Sequence, residues 1–170
     1  GSPDPMVAAK AARQVYDNVP ELKKILETKY NQVFLGVGSV GNYNLVTTFA
    51  WNQVGELKGK KIAAAGPNIP WLKAVGAVPV QSNLNEAYTS FQTGVYEGWV
   101  MFPDATVGFK LHEVAKNYTF TDFGAIPNVV LAINKDTWRK LPKPVQDIML
   151  EVGKEFTTVQ TQMALDKGKR

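Results

Sequence analysis

The sequence contains no cysteine. A thiol nucleophile, a cysteine-ligated metal and a disulfide framework are therefore excluded, and the chain is compatible with cytoplasm or periplasm alike. Histidine is nearly absent: His112 stands alone, which leaves no basis for a histidine-rich metal site or a Ser-His triad. No apolar run approaches the roughly eighteen residues of a membrane span. The N-terminus lacks a basic segment followed by an apolar one, so no signal peptide is expected within the chain. The excess of one charge sign is also small. Nineteen Lys and Arg stand against fifteen Asp and Glu, for a net charge of +4. The densest cluster is Lys58, Lys60 and Lys61, with no basic stripe interleaved with aromatics. Nucleic acid is not an expected partner.

What is present is punctuation. With 170 residues the chain can build one domain, or one domain and part of another. From Leu57 to Asp104 three short apolar runs alternate with two helical runs. Lys60–Ala65 reads as a strand closed by Gly66-Pro67-Asn68. Asn68 then reads as an N-cap, with Pro70 in the first turn and Gly76 as a C-cap. Val78–Gln81 is a second strand. Asn83 with Glu86 forms a capping box for a helix bearing Leu84, Ala87, Tyr88 and Phe91 on one face. Gly94 ends it, and Trp99–Phe102 is the third strand. This is the grammar of a βαβαβ unit with a parallel sheet. The loops after its strand ends, Ala63–Asn68 and Trp99–Asp104, border the crevice where such sheets bind ligands.

Around this unit, helices are expected over Asp4–Asn18 and from Pro20. A buried strand follows at Gln32–Gly36, and an extended segment at Tyr43–Trp51. Asp104 reads as the N-cap of a helix with Val107, Leu111 and Val114 inward. Tyr118–Phe123 and Asn128–Asn134 read as strands. A long final helix begins at Pro144, with Val145, Ile148, Met149, Val152, Phe156, Val159 and Met163 as its inward stripe.

Gly36-x-Gly38-x-x-Gly41 matches the dinucleotide fingerprint. That fingerprint needs a helix next, yet Tyr43–Trp51 is β-branched and aromatic, and the acidic residue due about twenty positions on is missing. A glycine-rich turn using positive φ is the plainer reading. An NAD-binding Rossmann-type oxidoreductase domain therefore stands as an alternative only. No nucleophile lies near a base, so no catalytic residue, metal ligand or cofactor is assigned. Gly66 and Asn68 at a helix start form a candidate anion site. Trp99, Met101 and Phe102, next to Asp104, are either core or the apolar wall of a pocket. Trp99 and Met101 share one face and Val100 and Phe102 the other, so one pair should lie under helices.

Several segments together resemble the DctP-type solute receptors of TRAP transporters. They are Leu57-Lys58-Gly59-Lys60-Lys61-Ile62, Gly76-Ala77-Val78-Pro79-Val80, and Glu86-Ala87-Tyr88 followed by Gln92-Thr93-Gly94 and Glu97-Gly98. Ile133-Asn134-Lys135 before Trp138 and Leu141-Pro142 completes the set. The resemblance runs in order from about Leu35 to Phe156. It implies an α/β fold: a lobe of the type II periplasmic-binding-protein kind, with a mainly parallel sheet flanked by helices, plus part of the other lobe. On that basis residues 1–45 are part of the N-terminal lobe with a crossing strand, 46–140 the ligand-binding lobe, and 141–170 a long C-terminal helix. The implied protein performs no catalysis and has no cofactor. It traps a small organic acid between two lobes and delivers it to membrane permease subunits. It is periplasmic, and its full-length precursor would carry a signal peptide. The effector domain of a transcription regulator shares the two-lobed design and is a further alternative.

The family commonly places an arginine where this chain has Ala63, another in the crossing segment where it has Asn42-Tyr43-Asn44, and an Asn near the position of Met101. With these grips replaced, Tyr43 and Asn44 are expected to contact ligand from the crossing segment. Asn68 and the Gly66 backbone are the expected polar contacts, and Trp99, Met101 and Phe102 the apolar wall. Two readings remain: the helix start near Asn68 holds the acid, or the ligand is less acidic and more apolar, such as an aromatic or branched acid.

Overall fold

The computed structural model describes residues 2–169. The chain divides into two units. The first comprises the segment up to Asn42 together with Gly124–Gly168, and the second is Tyr43–Phe123. Residues 124–140, grouped by sequence with 46–140, thus belong with the N-terminal segment, because their strand pairs there. Gly1 and Arg170, the outer ends of the first and third sequence segments, lie outside the described residues.

In the first unit, α1 (Pro5–Asn18) is capped by Asp4, whose side chain accepts from the N–H groups of Met6 and Val7. α2 (Pro20–Lys29) opens on its proline. β1 (Gln32–Gly38) pairs antiparallel with β7 (Val129–Asn134), with a register irregularity between Phe34 and Gly36. α7 (Lys135–Lys140) is capped by the Asn134 side chain, and α8 (Lys143–Gly168) packs on β1 and α1.

The face by which α8 packs differs from the expected stripe. Val145, Ile148, Val152, Val159 and Met163 are exposed, whereas Gly153, Thr157, Thr161 and Ala164 are buried. The cause is a backbone-to-backbone approach. A methyl group on Gly153 would overlap the Leu35 carbonyl oxygen, and one on Gly36 would lie 2.5 Å from the Gly153 carbonyl oxygen. A row of Val, Ile and Met cannot enter so narrow a gap, so small residues face it. The Arg13 guanidinium bridges the contact, donating to the carbonyls of Leu35 (3.0 Å) and Gly153 (3.2 Å). Gly36 and Gly38 therefore lie inside a strand and neither has positive φ, which corrects the glycine-turn reading.

In the second unit the βαβαβ expectation holds. β3 (Lys61–Ala64), α3 (Ile69–Ala74), β4 (Val78–Gln81), α4 (Leu84–Gln92) and β5 (Gly98–Met101) follow in order, and β3 pairs parallel with both β4 and β5. β2 (Asn44–Thr47) joins antiparallel to β5 and to β6 (Asn117–Thr119), giving the sheet order β4-β3-β5-β2-β6. Four strands run one way and β2 the other. The Asn83/Glu86 capping box forms as the spacing predicts.

Three local expectations are corrected. Phe102, not Asp104, is the N-cap of α5 (Pro103–Gly108), which places Asp104 in its first turn. The helix expected across Val107, Leu111 and Val114 is two short ones, α5 and α6 (Leu111–Val114), broken where Lys110 adopts φ 55°; Val107 is exposed. Asn68 ends a 3-10 turn ahead of the six-residue α3 and makes no side-chain cap bond.

Candidate functional site

The loop after β3, the loop after β5 and the start of β2 meet at one end of the second unit's sheet. The first two follow the C-terminal ends of parallel strands. β2 reaches the same end because it is antiparallel, with Asn44 in register with Met101. Tyr43 is thereby brought to Phe102, edge to face with centroids 5.3 Å apart. Trp71, on α3, meets Tyr43 edge-on at 5.9 Å. Phe123 stacks on Trp71 at 5.2 Å with planes 19° apart. The Phe123 N–H donates to the Tyr43 carbonyl at 3.0 Å, which fixes the two chain segments side by side. The result is a continuous aromatic cluster. Tyr43 is buried, and Trp71, Phe102 and Phe123 are half-buried.

Polar groups are arranged around it. The Asn44 side-chain oxygen accepts from the N–H groups of Thr121 and Asp122, both at 3.0 Å, and its nitrogen donates to the Tyr118 hydroxyl at 3.1 Å. That hydroxyl donates to the Met101 carbonyl at 3.3 Å. Burial pushes the Tyr118 hydroxyl up to about 12. The Asn44 hydrogen bond opposes this, and the nearby charges of Asp104 and Asp122 add to it. Asn68 is 1% exposed, and its side-chain nitrogen is buried with no hydrogen-bond partner among the described residues. Asp104 is half-buried and Gly66 is exposed.

Of the eight residues singled out from sequence, the structure draws Tyr43, Asn44 and Phe102 together, with Asp104 close enough to act on Tyr118. Gly66 and Asn68 lie on the loop after β3 that leads into Trp71. Trp99 and Met101 go elsewhere. They are 2% and 3% exposed, in a core cluster with Ala87, Phe91, Tyr96 and Leu111 against which Phe102 also packs, and Val100 on the other face is fully buried too. Ala63 is fully buried in the same cluster, in register with Trp99. Sequence reasoning missed Trp71 and Phe123. Trp71 lies within the helix expected between Asn68 and Gly76, with no role assigned to it. Its signal was its place, one residue after a first-turn proline in a crevice loop. Phe123 reads from sequence as the end of a strand over Tyr118–Phe123, whereas β6 stops at Thr119 and Phe123 lies in the loop beyond it.

The residues after Gly41 lead into a strand, β2, and not a helix. The glycine fingerprint thus lacks the helix N-terminus a pyrophosphate needs. Among the described residues no group of His, Cys, Asp and Glu could hold a metal ion, and no helix is long and apolar enough to cross a membrane.

The second unit is thus an α/β lobe with an aromatic cluster at its strand ends. Comparison with known proteins gives the family. Residues 6–170 match the bacterial extracellular solute-binding proteins, family 7 (DctP). The chain belongs to that family, and its relatives there are solute-binding receptors. It is 30% identical over 159 residues to the uncharacterized protein YiiZ of Salmonella typhimurium, covering 91% of this chain and 48% of that one. It is 29% identical over 99 residues to the C4-dicarboxylate-binding periplasmic protein DctP of Rhodobacter capsulatus, covering 58% and 29%. Among solved structures it resembles a TRAP periplasmic solute-binding protein of Citrobacter koseri with bound D-glucuronate. That likeness has TM-score 0.73 and 29% identity, covering 88% of this chain and 53% of that one. A Sulfitobacter counterpart with bound β-D-galacturonate shares the fold at TM-score 0.81 and 24% identity, covering 95% and 55%. The chain thus spans less than half the length of these curated relatives and about half of these solved chains.

Proposed function

We propose that this chain is part of a periplasmic solute receptor of a TRAP-type transporter, which captures a small organic acid and hands it to membrane permease subunits. The observation that carries this reading is the aromatic cluster of Tyr43, Trp71, Phe102 and Phe123 at the ends of β3 and β5, in a chain of the DctP family. The receptor performs no chemistry. Its work is the difference in affinity for solute between two conformations, because a ligand shifts an equilibrium only by that difference. Relatives of known structure hold hexuronates, acids that combine a carboxylate with a ring. An aromatic platform suits the ring, and we assign the solute here to ring-bearing organic acids.

In this reading Tyr43 and Phe102 touch the solute, and Trp71 and Phe123 complete the apolar wall. The Asn68 amide and the Gly66 N–H supply polar contacts in place of the arginine absent at position 63. Asn44 and Asp104 act through the Tyr118 hydroxyl that they border. Trp99 and Met101 support the wall from the core.

The test is a thermal-shift screen of the complete receptor against D-glucuronate, D-galacturonate, malonate, C4-dicarboxylates and benzoate, with neutral sugars as controls. Ligand at a hundred times its Kd stabilises the bound fold by about 2.7 kcal/mol. A ring-bearing acid should raise Tm by several degrees. A flat response to every acid would remove the proposal.

A further inference from the structure

The groove between α1 and α8 in the first unit is a second place where charge converges. It is open to solvent, has a volume of about 230 Å³ and is lined by Lys10, Arg13, Gln14, Lys154, Thr157 and Thr158. Three of the six are cations, and none is a carboxylate. Arg13 is fixed in position. Besides its bonds to the Leu35 and Gly153 carbonyls, its Nε and Nη2 donate to Asp17 at 2.8 and 3.1 Å. The charge of Asp17 is shared with Lys23 at 3.2 Å, and these hydrogen bonds, Arg13's first, hold its carboxyl below its ordinary range despite some desolvation. Lys10 and Lys154 take part in no ion pair among the described residues. Thr157 is 3% exposed, and its hydroxyl is buried without a hydrogen-bond partner. The carbonyl one turn back that a helical threonine usually uses, that of Gly153, already accepts Arg13.

A buried hydroxyl without a partner is a deficit that folding tolerates rarely. Its position beside three cations gives the deficit a direction, because the missing partner for such a set is an acceptor with negative charge. We propose that this groove is a binding site for a tetrahedral oxyanion of the phosphate or sulfate class, separate from the aromatic cluster of the second unit. Lys10 and Lys154 reach the anion from α1 and α8. Arg13, whose charge Asp17 already offsets, lines the groove with them. The Thr157 hydroxyl donates to one anion oxygen, and Gln14 and Thr158 offer further donors. The space would hold several waters at ~30 Å³ each, which is ample for one tetrahedral anion. Because the lysines are exposed, binding is weak and falls as salt rises.

The experiment is a two-dimensional amide NMR titration of the 170-residue chain with inorganic phosphate, at fixed ionic strength balanced by chloride. Saturable shifts confined to residues 10–14 and 154–158 are expected. Lys10→Ala with Lys154→Ala, both at exposed positions, should weaken the apparent affinity about tenfold, and Thr157→Val severalfold. Thr157→Ser, which keeps the hydroxyl, should bind as the parent does. A parallel arm uses sedimentation with phosphatidylglycerol vesicles. Capture that is lost in the double lysine variant supports the same site, with a lipid headgroup as the phosphate source. Shifts that never saturate, or that persist in both the lysine and valine variants, together with no variant-sensitive capture by vesicles, would overturn the proposal. Far-UV circular dichroism confirms that each variant is folded.

Discussion

The side-chain oxygen of Asn44 accepts the backbone N–H of Thr121 at 3.0 Å. It takes the Asp122 N–H at the same distance, so one side chain at the start of β2 holds the loop that presents Phe123. Sequence reading places Asn44 against the ligand, and these bonds give it a positioning task. Asn44→Ala should leave two N–H groups without their acceptor and cost roughly 2–4 kcal/mol of stability. Urea denaturation measures it. A cost below about 0.5 kcal/mol, as at an ordinary surface site, would contradict the role.

Gly153 and Gly36 test how α8 packs. Gly153→Ala forces a methyl into the Leu35 carbonyl, backbone against backbone with no flexible side chain to yield. The expected loss is about 1–3 kcal/mol, as for other overpacked sites. Ile148→Ala, on the exposed stripe, should change the stability of this chain by no more than about 0.5 kcal/mol. The reverse ranking in chemical denaturation would restore the apolar stripe as the packed face.

Trp71 touches both Tyr43 and Phe123, and on the proposed reading it is the position that sets specificity. Trp71→Ala should weaken binding of a ring-bearing acid about tenfold or more, since an aromatic contact is worth about 0.5–1.5 kcal/mol beyond its buried area. Trp71→Phe should fall between. Calorimetric titration of the complete receptor reads both. Equal loss for malonate, which has no ring, would show that Trp71 acts on the fold and not on the ring.

Tyr118 gives the unit an alkaline limit. Its folded value, pushed up to about 12, lies above the ordinary 10.0 of a tyrosine, chiefly through burial. The folded state therefore keeps a proton that the unfolded state gives up. The contribution is complete below pH 10 and is lost as pH rises toward 12. With the ring half-buried, the expected loss is about 1–2 kcal/mol, less than full burial would give. Urea titrations of the parent and Tyr118→Phe across this range separate it from other titrations. Parallel pH profiles would contradict it.

Much of the second unit was legible because its elements are marked locally. Gly76 and Gly94 have positive φ, and the Asn83/Glu86 box opens α4, each where its neighbours in sequence require it. The face of α8 was not legible. Its apolar periodicity points one way, while its packing is set by glycines of β1 more than a hundred residues distant, whose reason is closeness and not conformation. The site was legible in part for the same reason. Tyr43 and Phe102 lie on recognisable strand ends. The stack of Trp71 on Phe123 joins residues that only the sheet order and the Asn44 bonds bring together. Strand alternation separated Trp99 and Met101 from Phe102, but only the three-dimensional fold decides which face the helices cover.

The most direct measurement is calorimetric titration of the complete receptor with D-glucuronate and with D-glucose, its neutral counterpart. The account predicts saturable binding of the acid. It also predicts at least about tenfold weaker binding of the neutral sugar, the equivalent of one charge-assisted hydrogen bond. Equal affinity for the two, or binding of neither this acid nor any other ring-bearing acid, would contradict it.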